Sequence, residues 1–315
     1  MPLFTVVIPL FNKEKFIAAT LKSVLDQSYT DFEIIVIDDA STDRSYCVAA
    51  ALDSTKIKII KHSFNQGLSA TRNTGIKNAN APYIAFLDAD DLWDSNFLEE
   101  IARLINQFPE AHLFATNYLE IYSNSVALAP EVGLKNTNTN FVVTDFFEAS
   151  LAQPIYCPSS WCVQKDVFKT TGLYNPKITF AEDIDFNIRA NYYFKLAYST
   201  QACVRYRMVS ENQITHAPIT NKILPDLDVY ENWGKEKPSL KKYLDFNRYI
   251  FAKMYQIEHN LSEFSRLKNA IDPDANVSGL NYKQRLLLNA SPLLLVAIKK
   301  IKRFWVQKGI RFTSY

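Results

Sequence analysis

A chain of 315 residues that is 48% apolar and 22% charged can bury one large core, or a catalytic domain with an appendage, and its composition excludes an intrinsically disordered protein. The formal charge of +2 argues neither for nor against nucleic acid, and no segment reaches the roughly 18 uninterrupted apolar residues of a membrane span. Cys47, Cys157, Cys162 and Cys203 fit no zinc or CxxC spacing and read as reduced, mostly buried thiols of a cytosolic protein.

The N-terminus runs straight into a strand, without the basic segment and apolar core of a secretory signal. Phe4 to Leu10 is a continuous apolar run with β-branched residues, the pattern of a strand buried on both faces. Ile17, Leu21, Val24 and Leu25 then recur at helical spacing. A strand at Phe32 to Ile37, a short helix after Asp43, a strand at Ile57 to Ile60, a helix from about Ser69 to Asn78 and a strand at Tyr83 to Leu87 continue the alternation. This rhythm predicts an α/β fold with right-handed crossovers and a mostly parallel sheet flanked by helices. Ligands in such sheets bind beyond the carboxyl ends of the strands. The polar clusters fall there: Asn12-Lys13, Asp38 to Asp43, Asn65-Gln66-Gly67 and Asp88-Ala89-Asp90.

After Ala111 the rhythm weakens. One or two strands are expected within His112 to Tyr122, a helix at Thr144 to Leu151, a strand at Tyr156 to Val163 and a helix at Asp185 to Phe194. From Tyr230 onward the chain reads as helical. The expected organisation is a catalytic domain over 1–220, with a nucleotide half to about 110 and an acceptor half to 220, and a helical C-terminal extension over 221–315.

The strand Tyr83 to Leu87 ends in Asp88, Asp90 and Asp91. Adjacent carboxylates repel and desolvate badly, so their clustering at a buried strand end calls for a cation. Mg²⁺ or Mn²⁺ takes a few carboxylate oxygens and completes its shell with water and phosphates, so Asp88 and Asp90 could hold a metal that presents a nucleotide diphosphate. An isolated Asp-x-Asp also suits a solvated turn or helix cap.

Taken together, Val7-Ile8-Pro9-Leu10-Phe11-Asn12, Ile37 to Asp43, Asn65 to Gly75, Phe86 to Asp91 and Glu182-Asp183 resemble the ordered motifs of the family 2 inverting glycosyltransferases, over about Leu3 to Thr215. The resemblance implies a GT-A type, Rossmann-like fold, a nucleotide-diphosphate sugar donor and a divalent metal. It places Pro9, Phe11, Asn12, Asp39, Arg72 and Asp88 at the nucleotide. Phe11 could stack on the base, Asp39 could accept the imide N–H of uracil, and Arg72, one turn into a helix, could meet a pyrophosphate or a base carbonyl. Asp38 suits a loop cap, and Ser41 and Asp43 suit capping of the next helix as well as ligand contact. Asp183 takes the place of the catalytic base, with Glu182 beside it to raise its pKa and orient it. A plain acidic helix start is the alternative for this triplet with Asp185. Ser160 and Trp161 are acceptor-side candidates, Trp161 offering an apolar face to a sugar ring unless it belongs to the core.

One departure concerns Tyr206-Arg207-Met208-Val209-Ser210, where Val209 stands in place of a His that often assists the metal or diphosphate; His216 is a possible substitute. The tail has no acidic residue after Asp274 and carries Lys299, Lys300, Lys302 and Arg303 among Leu293, Leu294, Ile298, Ile301, Phe304 and Trp305. That pattern fits a helix lying on an anionic leaflet, so the protein is expected in the cytoplasm or peripherally on the inner face of the membrane; docking on the catalytic domain or on a second chain is the competing reading. The function expected is transfer of a sugar, from a UDP-sugar by preference, to a hydroxyl of a glycan or lipid-linked acceptor in surface polysaccharide synthesis. A nucleotidyltransferase and a non-catalytic glycan-binding protein are the alternatives.

Overall fold

The computed structural model describes residues 1–52, 54–123, 125–134, 138–210 and 217–311. The first part follows the expected alternation: β1 (Phe4–Leu10), α1 (Ile17–Leu25), β2 (Phe32–Asp38), α2 (Ser45–Ala50), β3 (Ile57–Lys61), α3 (Leu68–Asn78) and β4 (Tyr83–Phe86). β1 pairs in parallel with β2 and β4, and β2 with β3. Every residue of β1 is buried because both faces are covered: Val7 and Ile35 enter one core, while Val6, Ile8 and Ile34 enter the other. The helix α3 lies so close to β1 that a Cβ on Gly75 would meet Val7 Cγ1 at 2.3 Å, which only glycine avoids.

Next come β5 (Leu92–Trp93), α4 (Phe97–Gln107), β6 (Leu113–Ser123), β7 (Val126–Leu128), β8 (Asn140–Val142), α5 (Phe146–Ala149), β9 (Trp161–Gln164), α6 (Val167–Thr171), α7 (Glu182–Tyr193) and β10 (Leu196–Arg207). The sheet order is β3-β2-β1-β4-β9-β6-β10-β5, with β7 on β6 and β8 on β10. β9 is antiparallel to both β4 and β6, so the sheet is parallel up to β4 and mixed beyond it. The strand expected from Tyr156 starts only at Trp161, because Pro158–Ser160 form a tight 3₁₀ turn that proline favours at its start. The expected helix at Thr144 to Leu151 shrinks to Phe146–Ala149, with Asp145 accepting hydrogen bonds from the Phe147 and Glu148 amides as its cap.

The C-terminal helices are α8 (Glu231–Glu236), α9 (Pro238–Ile257), α10 (Leu261–Ala270), α11 (Ala275–Ser278), α12 (Tyr282–Leu287) and α13 (Pro292–Val306). They do not form a core of their own. Leu240, Tyr243, Leu244 and Tyr249 of α9 join the same apolar cluster as Val7, Trp161 and Phe186. Among the described residues no helix is long and apolar enough to cross a membrane.

Candidate active site

A cavity of about 650 Å³ opens where the carboxyl ends of β1, β2 and β4 meet α7 and α9. It gathers Pro9, Phe11, Asp39, Arg72, Asp88, Asp90, Glu182 and Asp183 from five separate segments of chain. Of the residues expected at the nucleotide, the metal, the base or the acceptor, Asn12, Ser160 and Trp161 do not line it.

Asp39, just past β2, is held from three sides. Its Oδ1 accepts the Gln66 amide at 2.9 Å and lies 2.7 Å from His62 Nδ1, while its Oδ2 accepts the Gly67 amide at 2.9 Å. Gly67 can turn its N–H inward because its φ is +86°, a region costly for other residues. The Nε2 of His62 sits 2.9 Å from Thr74 Oγ1, which itself donates to the Ala70 carbonyl. A carboxylate offers about four acceptor sites, so three protein partners fix its direction and leave capacity for one more donor. His62 escaped the sequence reading. Its position just past β3, on the edge that carries Asn65-Gln66-Gly67, was the available signal.

Asn12, with φ of +51°, clamps two loops together: its Oδ1 accepts the Thr42 amide at 2.8 Å and its own amide donates to Ser41 Oγ at 3.1 Å. In this structure Asn12 fixes the loop and does not line the cavity. Asp38 Oδ1 accepts the Ser41 amide, and Asp43 Oδ1 accepts the Ser45 amide ahead of α2, the capping jobs expected of them.

The three carboxylates after β4 part company. Asp91 turns inward, accepting Ser159 Oγ at 2.5 Å and the Arg207 amide at 2.8 Å, and ties β4 to the segment before β9 and to β10. Asp88 and Asp90 face the cavity. Arg72, only 1% exposed, reaches between two segments: Nη2 donates to Asp88 Oδ1 at 3.0 Å and Nη1 donates to Glu182 Oε1 at 2.6 Å. Burial alone would lower the guanidinium pKa, but Asp88 and Glu182 push it further up, so the group stays charged. In this state both of its terminal nitrogens are committed to protein carboxylates. Lys13, which the sequence reading did not assign, donates to Asp90 Oδ2 at 2.7 Å and to Ser210 Oγ at 3.1 Å.

Even with these cations the acidic end is under-neutralised. Burial, and then Asp90 and Glu182, raise the Asp88 pKa against the pull of Arg72. Asp88 Oδ2 and Asp90 Oδ1 accept no hydrogen bond from the described residues. Two hard anionic oxygens with spare capacity fit Mg²⁺ or Mn²⁺, which would draw its other ligands from water and a diphosphate. Among the described residues no third acidic, His or Cys side chain completes a protein-only metal cage.

Asp183 stands in the first turn of α7, immediately after Glu182. The preceding Ala181 takes a left-handed conformation, φ +61° and ψ +33°, a strained choice for a residue with a Cβ that tips the start of the helix into the cavity. Burial, then the adjacent Glu182, raise the Asp183 pKa to about 6, with Arg72 opposing them. Its Oδ1 accepts the Ile184 amide at 2.9 Å. Trp161, 2% exposed, stacks on Tyr156 at 5.2 Å between ring centroids and belongs to the core, and the fully buried Ser160 Oγ accepts the Cys157 amide. Neither can meet an acceptor, which corrects that expectation: an aromatic at the head of a strand sheltered on both faces is driven into the core. Val209 is exposed at the surface, and His216 lies outside the described residues.

The family model described as "Glycosyl transferase family 2" matches residues 5–170. The chain belongs to glycosyltransferase family 2. It is 30% identical over 194 residues to the uncharacterized glycosyltransferase EpsJ of Bacillus subtilis, covering 60% of this chain and 56% of that protein. Over 124 residues it is 33% identical to the Escherichia coli UDP-Glc:alpha-D-GlcNAc-diphosphoundecaprenol beta-1,3-glucosyltransferase WfgD, covering 39% of this chain and 49% of the relative. The match thus spans about half the length of these curated relatives. Among solved structures, S. aureus TarS residues 1–349 in complex with UDP-GlcNAc shares the fold, with a TM-score of 0.57, 16% identity, and coverage of 89% of this chain and 93% of that one. The GT-A type fold inferred from the sequence therefore holds.

Proposed function

We propose that the protein is an inverting glycosyltransferase that moves a sugar from a UDP-sugar to a hydroxyl of a glycan or lipid-linked acceptor. The observation that carries this reading is that one cavity joins Asp39, the Asp88 and Asp90 pair, and Asp183. The relatives support its substrate side: WfgD is named for a UDP-glucose donor and a diphosphoundecaprenol-linked acceptor, and TarS was crystallised with UDP-GlcNAc. We assign the catalytic unit to 1–220 and the extension to 221–315.

In this reading Phe11 and Asp39 hold the uracil, Asp39 accepting the imide N–H with the oxygen capacity that its loop leaves open. Asp88 and Asp90 hold a Mg²⁺ or Mn²⁺ ion, which would offset charge on the departing diphosphate. Lys13 adds positive charge on the same side. Asp183 takes the proton of the acceptor hydroxyl as that oxygen attacks the anomeric carbon from the face opposite the diphosphate. A base with a pKa of about 6 is ionised at neutral pH yet more basic than an ordinary carboxylate.

The exposed Leu293, Leu294, Ile301 and Phe304 of α13, beside Lys299, Lys300 and Arg303, support peripheral attachment to an anionic membrane. Sedimentation with phosphatidylglycerol vesicles tests it: binding should fall with added salt and with Lys299→Glu plus Lys300→Glu, and salt-independent or absent binding would refute it. The activity itself is tested by incubating a panel of UDP-sugars with Mn²⁺ and candidate acceptors. Release of UDP with an inverted glycosidic product is expected, whereas release of pyrophosphate would assign a nucleotidyltransferase.

A further inference from the structure

The cavity has a second wall that family motifs do not describe. It is made by one face of α9, where Tyr243, Phe246, Ile250 and Met254 recur at helical spacing and line the same space as the carboxylates. This wall adjoins the base. Beyond the large effect of burial, the charge of Asp183 raises the phenol pKa of Tyr243, so the two groups are electrostatic neighbours. The stripe also leads outward: Tyr243 and Phe246 are buried, while Ile250 and Met254 are only half-buried. On the apolar side Ser150 is 3% exposed, lines the cavity, and has a hydroxyl with no partner among the described residues. A buried hydroxyl left without a partner is costly unless a ligand supplies one.

Apart from the Tyr243 hydroxyl, this stripe offers no hydrogen-bonding group, so its outer half at Ile250 and Met254 suits hydrocarbon better than the hydroxyls of a sugar. Resting on the glycosyltransferase reading above, we infer that this wall receives the hydrocarbon chain of a lipid-linked acceptor, laid along α9 from Asp183 toward α13. The course fits the surroundings. α13 packs on α9, Gln256 of α9 donates to the Ala290 carbonyl ahead of α13, and the outer face of α13 carries the exposed apolar and cationic residues described above. The helix that walls the base is therefore the one that adjoins the candidate membrane surface, so a lipid could reach the site without crossing open water.

Two phosphates that share a headgroup, farnesyl phosphate and dimethylallyl phosphate, separate the chain from the charge. Their binding to the full chain is measured by calorimetry in the presence of UDP and Mn²⁺. Burying even two or three additional carbons is worth about tenfold in affinity, so farnesyl phosphate should bind at least about tenfold more tightly. Ile250→Asp and, separately, Met254→Ser should bring the two ligands close to parity, while Leu293→Ser on α13 should preserve the difference. Equal affinities in the unchanged protein, or a farnesyl advantage that survives at both α9 positions, would overturn the inference. Stabilisation by UDP alone, measured alongside, reports on the donor reading separately, so failure of one is not mistaken for failure of the other.

Discussion

The two walls of the cavity are built on opposite principles. The donor wall is a set of loops pinned at the carboxyl edge of a parallel sheet, where Asp39, Asp88 and Asp90 are each oriented by two or more named partners or by the strand they terminate. The acceptor wall is one face of a long helix, α9, with the short segment around α5 and Ser150. The first presents fixed charges and hydrogen-bond acceptors; the second presents shape and apolar area. Asp183 lies at their seam, with Glu182 tied by Arg72 to the donor side and Tyr243 on the acceptor side. On the proposed reading, donor chemistry here depends on individual atoms, whereas acceptor choice depends on the packing of a surface.

The largest effect should come at the seam. Asp183→Asn is expected to lower kcat about a thousandfold, as loss of a general base does, while leaving the stabilisation by UDP within error. If UDP binding fell instead, Asp183 would belong to the donor wall and the division between walls would be misdrawn. The acid limb of the pH profile sharpens the same point. Because burial and Glu182 raise the Asp183 pKa to about 6, kcat should fall as pH drops through that value, the proton occupying the oxygen that must accept one. A flat rate between pH 7 and pH 5 would contradict the assignment.

Arg72→Met breaks the strut between Asp88 and Glu182. It leaves the buried Glu182 and the half-buried Asp88 without their cation, and a loss of about 3 kcal/mol in urea unfolding is expected. A loss below about 1 kcal/mol would show that the guanidinium is not the tie it resembles. The smallest change is expected at His62. His62→Ala removes one of the three groups that aim Asp39, and should raise the KM for the UDP-sugar about tenfold with kcat nearly unchanged. An unaltered KM would show that the loop amides of Gln66 and Gly67 suffice.

The donor wall was legible in the sequence because its chemistry is local. The strands β1, β2 and β4 are dominated by apolar residues, and the carboxylates that matter follow the ends of β2 and β4, so Asp39, Asp88 and Asp90 could be placed without knowing a single tertiary contact. What failed there were residues whose jobs depend on neighbours far along the chain. Asn12 is a clamp because Ser41 and Thr42 happen to face it, and His62 matters because Asp39 turns toward it. Lys13 and Asp90 are 77 positions apart.

The chain beyond β4 was less legible for the same reason, extended further. The strand β10 in Leu196–Arg207 was not anticipated, since its interior carries Ser199, Thr200 and Gln201 and lacks a clear period. Trp161 looked like a platform for a sugar and proved to be core, because the packing of Phe86, Tyr156 and Phe186 around it is invisible in a linear chain. The apolar positions of α9 were recognised as helical, yet nothing in their spacing revealed that one face would border the base.

The most direct measurement of the central claim, that the acidic end of β4 holds the donor diphosphate through a cation, is the melting temperature of the Asp88→Asn plus Asp90→Asn variant with UDP, with and without Mn²⁺. A ligand bound only by the folded chain raises that temperature according to its affinity and concentration. The account predicts a Mn²⁺-dependent rise for the unchanged protein and none for the variant. An equal rise in both would contradict it.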